Sequence, residues 1–157
     1  MRYPRLLALV TSLLLGGCAD RLPLSPDDAW AEARARWDAR GPSHYTFETR
    51  SLCFCIANVT YWHRVEVRDG RVVAVTPVDS VPFPPVGPLT IWPTVPQLFE
   101  RARRTPEVTF IERQEVEYDP ALGYPTRINV VCGRQVADCD QETTARNLRA
   151  VGAGGAP

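Results

Sequence analysis

The sequence predicts an α+β domain: an N-terminal helix, an antiparallel sheet of about five to six strands, and a second helix between the third and fourth strands. Three observations carry this expectation. Apolar spacing switches from helical to alternating after Gly41-Pro42. Asp69-Gly70 sits between two alternating runs, where a tight hairpin turn belongs. A second helix opens at Thr94-Val95-Pro96, and alternation resumes beyond it.

Ser25-Pro26-Asp27-Asp28 reads as a helix start, with proline tolerated and acids favoured in the first turn. Trp30, Ala33 and Trp37 share one face of a helix running to about Arg40, a stripe suited to packing on a sheet. From His44 the period is two: Tyr45, Phe47 and Thr49 alternate with Thr46, Glu48 and Arg50. Tyr61 to Arg68 and Arg71 to Pro77 form the hairpin around Asp69-Gly70. Residues 77–96 hold seven prolines, too many for a central strand or a helix interior. Phe83, Ile91 and Trp92 predict that this stretch packs down as a long ordered loop. Leu98, Phe99 and Ala102 are the apolar side of the second helix. Glu107 to Tyr118 follows as a strand, with Val108 and Phe110 alternating and a bulge near Arg113-Gln114. Residues 119–125, Asp-Pro-Ala-Leu-Gly-Tyr-Pro, are a turn, and Thr126 to Val131 is the strand back. After the Cys132–Cys139 loop, Thr143 to Val151 adds a last strand, and residues 152–157 are read as a disordered tail.

The first seventeen residues follow the order of a secretion signal. Arg2 and Arg5 precede an uncharged run from Leu6 to Leu15, and Leu15-Gly16-Gly17-Cys18 closes it with small residues before a cysteine. That run is too short to cross about 30 Å of hydrocarbon, which takes about 20 helical residues. The tetrad resembles the lipobox of bacterial lipoproteins, which implies acylation of Cys18 as the first mature residue. Residues 18–26 then form a short tether and 27–151 a single domain. Ala19, where an aspartate implies inner-membrane retention, points to the outer membrane if the source has one. The expected address is the bacterial cell envelope, with membrane contact through the lipid on Cys18.

The chain balances 18 basic against 18 acidic residues, and every basic residue is arginine. Without the leader, sixteen arginines face eighteen acids. Such a surface has no field for gathering nucleic acid, which is excluded as a partner.

Four pieces stand in order: the Trp-bearing first helix, Cys53-Phe54-Cys55 ending a strand, the Val-Arg-Asp-Gly-Arg-Val-Val hairpin, and Tyr118-Asp119-Pro120-Ala121-Leu122-Gly123-Tyr124-Pro125-Thr126. With Thr94-Val95-Pro96-Gln97-Leu98-Phe99 added, this set resembles the bacterial family catalogued as domain of unknown function 6174, over about residues 28–132. The resemblance implies a secreted or lipid-anchored protein and assigns no activity. The Pro-rich insert and Cys132 and Cys139 depart from the family pattern.

Beyond Cys18 four cysteines remain, and an exported protein meets oxidising conditions. Cys132 and Cys139 can close their own loop, leaving Cys53 with Cys55. Side chains at i and i+2 of a strand stand about 6–7 Å apart, beyond disulfide reach, so a Cys53–Cys55 bond demands a sharp bend and is expected to be labile. Two crossed bonds between the first strand and the 132–139 loop are the alternative, and free thiols or a metal a third. A redox dithiol at Cys53-Phe54-Cys55 lacks the strand-to-helix setting that activates thiols. A soft-metal site with Cys132, Cys139 or His63 fits no standard zinc spacing.

Hydrolytic chemistry finds less support. His44 and His63 both lie in strand patterns, and no Gly-x-Ser-x-Gly turn exists. Glu112, Glu115 and Glu117 read as a solvent face, Asp119 as a turn former, and Tyr124 as a packed corner residue. No cofactor and no catalytic residue is expected. The sequence thus predicts a non-catalytic binding or interaction module with an envelope protein as partner, or, alternatively, a thiol–disulfide or soft-metal protein using Cys53 and Cys55.

Overall fold

The computed structural model describes residues 24–55, 57–78, 80, 87–103 and 110–152. The signal, Cys18 and most of the tether lie outside the described residues. So do 81–86 of the Pro-rich stretch and 153–157 of the tail.

Helix α1 spans Pro26–Arg40 and starts as its sequence requires. The Ser25 hydroxyl accepts the Asp28 N–H at 3.1 Å, and Asp27 and Asp28 occupy the positive end of the helix dipole. Gly41 stops it by donating to the Trp37 carbonyl. The predicted stripe faces inward. Trp37 meets Tyr45 edge-on at 5.5 Å between ring centroids, and Trp30 meets Phe99 at 6.2 Å while its indole N–H donates to the Phe99 carbonyl at 2.9 Å.

Six strands form one antiparallel sheet: β1 Tyr45–Leu52, β2 His63–Arg68, β3 Arg71–Pro77, β4 Ile111–Tyr118, β5 Pro125–Cys132 and β6 Gln141–Ala150. Their order is β3-β2-β1-β6-β5-β4. The last strand therefore lies in the middle, joining the hairpins β1–β2–β3 and β4–β5–β6. Asp69 and Gly70 both take positive φ, 49° and 72°, the conformation of the type I′ hairpin that the dipeptide predicts. Helix α2, Val95–Ala102, lies between β3 and β4. Thr94 and Gln97 form a reciprocal capping box at its start, with Pro96 in the first turn.

Both helices pack on the same sheet face. Phe47, Val65, Val67, Ile128 and Ala145 from the strands meet Val95, Leu98, Phe99 and Trp37 from the helices in one core. Burying each large apolar side chain is worth about 1.5–3 kcal/mol, so this layer holds the fold.

The strand expected from Glu107 begins later. Residues 104–109 lie outside the described residues, and Phe110 sits in a turn ahead of β4, half exposed. It therefore does not alternate into the core. The reason is local: the Phe110 carbonyl accepts the Gly133 N–H at 2.9 Å, beyond the last ladder pair, Ile111 with Cys132. The bulge expected near Arg113-Gln114 falls between Ile111 and Arg113, and a second lies between Glu117 and Tyr118. The strand expected from Tyr61 starts at His63, after a short helical turn over Ala57–Thr60.

The other sheet face carries a charged lattice. Glu48, which alternates with Phe47 and Thr49 along β1, is buried there. Its carboxylate accepts from Asn147 at 2.8 Å, Arg64 at 2.9 Å and Arg146 at 3.0 Å. Burial alone would raise its pKa. Those hydrogen bonds and the charge of Arg146 outweigh burial and hold the carboxyl below its ordinary value. Asn147 reaches Glu48 because it sits in a bulge of β6 with φ 55°.

Candidate interaction surface

Antiparallel pairing gathers the C-terminal ends of β1, β3 and β5 with the first residues of β2, β4 and β6 at one end of the sheet. All four described cysteines lie there. Strand β1 ends at Leu52, opposite Glu142 of β6, and the chain bends through Cys53, Phe54 and Cys55. Across that bend the two cysteines are disulfide-bonded, with Cα atoms 5.2 Å apart. The extended geometry that would forbid this bond is broken where it has to be, one residue past the ladder. Cys132 and Cys139 form the second bond, with Cα atoms 5.8 Å apart, so both pairings are local.

The 132–139 loop is also ordered by hydrogen bonds. The Cys132 N–H donates to Asp140 at 2.8 Å, and Val136 N–H to the Gly133 carbonyl at 2.9 Å. Between this loop and Phe110 lies an open hollow of about 550 Å³, lined by Phe110, Glu112, Arg134 and Val136.

The disulfide at the end of β1 decides the position of the residue between its cysteines. With both Cβ vectors turned toward each other, the middle side chain points away, and Phe54 is 83% exposed. Leu52, Tyr61, Phe110 and Val136 are exposed at the same end. Scattered single apolar residues need no explanation; here five of the eight large apolar side chains exposed among the described residues lie at one end of the sheet. Only the bend requirement in Cys53-Phe54-Cys55 could have revealed Phe54, and Phe110 was read only as an alternating strand residue.

The candidate groups for chemistry are not brought together. His63 is buried against Trp92, with ring centroids 4.5 Å apart and its Nδ1 3.0 Å from the Tyr61 carbonyl. His44 lies at the opposite end, its Nε2 2.9 Å from Asp69. Glu112, Glu115 and Glu117 are exposed along β4. Asp119 accepts the Ala121 and Leu122 N–H groups at 3.0 and 2.7 Å, as a turn former does. Tyr124 is buried against Trp37.

The shifted phenols and carboxyl move away from neutrality. Burial pushes Tyr45 and Tyr118 up to about 12 and raises Tyr124, while Glu48 moves down. A general acid or base works best with a pKa near the operating pH, so these shifts favour structural roles. Among the described residues no group of three or more His, Cys, Asp or Glu could hold a metal ion. Both cysteine pairs are oxidised, which leaves no thiolate among them for a soft metal.

A family model described as a family of unknown function (DUF6174) matches residues 29–150. No curated protein and no solved structure matches the chain.

Proposed function

Because the chain belongs to this family of unknown function, we propose its role from its own residues: it is a lipid-anchored protein of the bacterial cell envelope, and its domain is a non-catalytic binding module. The lipid sits on Cys18, and the disulfide-bearing end of the sheet is the contact surface. The observation that carries this reading is Phe54, 83% exposed on a bend held by its flanking cysteines. A large apolar side chain left in water has about 1.5–3 kcal/mol still to gain from burial, and aromatic anchors of this kind dominate binding interfaces. The anchor is supported by the order of basic start, uncharged run, small residues and cysteine at residues 2–18. More than one acyl chain on the same cysteine makes such anchoring stable.

Mass spectrometry of the mature protein, expressed with its own leader, tests the anchor. The expected N-terminal tryptic peptide is Cys18–Arg21 carrying acyl chains. A mature chain that starts elsewhere, or an unmodified Cys18, would contradict the reading.

A thiol–disulfide role is the second reading, favoured by the exposure of Cys55. It requires Cys53–Cys55 to open under mild reduction while Cys132–Cys139 stays closed. Alkylation after graded reduction separates the two, and a Cys53–Cys55 bond that resists as long as its neighbour ends this reading.

A further inference from the structure

We infer that the disulfide-bearing end of the sheet rests on the surface of the lipid bilayer that holds the anchor. The inference depends on the reading of Cys18 as lipidated, and it names the partner of the surface proposed above.

The first argument is the distribution of apolar surface. Of the eight large apolar side chains exposed among the described residues, five lie at this end: Leu52, Phe54, Tyr61, Phe110 and Val136. With strands about 4.8 Å apart, the four intervals from β2 to β4 spread them over about 20 Å. That makes a broad rim, better matched to a flat lipid surface than to a single pocket. Phenylalanine and leucine with a tyrosine fit the boundary between headgroups and acyl chains. At the opposite end, Arg40, Arg68, Asp69, Arg71 and Arg149 are exposed and charged, a poor fit to the same boundary.

The second argument is where the chain leaves the domain. Leu24 and Pro26 line one groove with Ala102 and with Gln114, Val116 and Tyr118 of β4, so the first described residues ahead of α1 lie beside that strand. From Gln114 the strand needs only three more residues, about 10 Å, to reach Ile111 at the disulfide-bearing end. Six residues separate Leu24 from Cys18, a contour of about 20 Å at full extension. An acylated Cys18 can therefore lie in the plane on which Phe54 and Phe110 rest.

Charge contributes little here. Arg134 stands against Glu112, Asp138 and Asp140, all exposed at this end, so the local balance is acidic, attracts no anionic lipid, and leaves apolar insertion to carry the contact. Binding should then depend weakly on anionic lipid, unlike that of a basic patch.

The test places a tryptophan reporter at each end of the full-length acylated protein. Phe54→Trp and, as comparator, Arg71→Trp beside the Asp69-Gly70 turn are reconstituted in phosphatidylethanolamine–phosphatidylglycerol vesicles with brominated acyl chains. Both positions are exposed, so folding is retained, and circular dichroism with intact-mass analysis of the disulfides checks this. The expected result is that Phe54→Trp loses most of its added emission and shifts to the blue, while Arg71→Trp does neither. Removing the phosphatidylglycerol leaves that difference in place. Equal, unquenched emission from both reporters on a chain whose N-terminal peptide is acylated overturns the bilayer contact and assigns the surface to a protein partner. An N-terminal peptide without acyl chains overturns the anchor itself, so the two failures are distinguishable.

Discussion

The two ends of the sheet are closed by different means. At the end carrying the Asp69-Gly70 turn, hydrogen bonds and glycines do the work. His44 meets Asp69, Val151 donates to the His44 carbonyl, and Asp119 accepts two backbone N–H groups of its own turn. Gly123, with φ 85°, lets the chain pass directly against the backbone of Ala33 in α1. Tyr124 follows it into the core. At the other end, two disulfides hold the chain, and Phe54, Phe110, Leu52, Tyr61 and Val136 stand in solvent. A turn that satisfies its own backbone and buries its aromatic residue is closed by local chemistry alone. A covalently closed loop can keep apolar side chains outside without unfolding, and that freedom is what a contact surface needs.

Substitutions at the two ends should separate stability from binding. The largest loss is expected at the self-satisfied end. In Gly123→Ala the new Cβ meets the Ala33 carbonyl and an unfavourable φ, costing about 3 kcal/mol. A lower urea midpoint at unchanged slope measures it. Next come the disulfides. Replacing Cys132 and Cys139 by alanine frees a loop of eight residues and costs about 2.5 kcal/mol by chain entropy, against about 1.5 kcal/mol for the three-residue loop of Cys53 and Cys55. Equal losses in paired urea titrations would show that loop length does not govern the difference. Asp119→Ala removes two hydrogen bonds of a partly exposed turn and should cost about 1 kcal/mol in the same assay. Phe54→Ala should change stability by less than about 0.5 kcal/mol, because the side chain is already in water. A large loss for Phe54→Ala would mean that the exposed aromatic is structural and would erase the contrast between the ends.

What could be read from the sequence follows the same division. The Asp69-Gly70 hairpin, the Asp119–Pro125 turn and the inward Tyr124 are written in local chemistry, where Asp, Gly and Pro fix backbone angles within a few residues. The helix starts at Ser25 and Thr94 are legible for the same reason. The local cysteine pairing was read beside a crossed alternative, because four cysteines allow three connectivities and only the folded geometry selects one. The surface itself was not legible. Phe54 and Phe110 become exposed through a bend after Leu52 and the late start of β4, and neither event leaves a periodic signal. For Glu48, alternation reports which face the residue occupies. It does not report that Arg64, Arg146 and Asn147, two of them nearly a hundred residues away, close over it.

Hydroxyl-radical footprinting of the protein expressed with its own leader, in cell envelopes and after detergent solubilisation, tests the proposed contact surface most directly. Phe54 and Phe110 should be protected in the envelope, while Val73 on β3 and Leu89, exposed away from that end, react equally in both states. If Phe54 is oxidised in envelopes as fast as in solution, the disulfide-bearing end is not a contact surface.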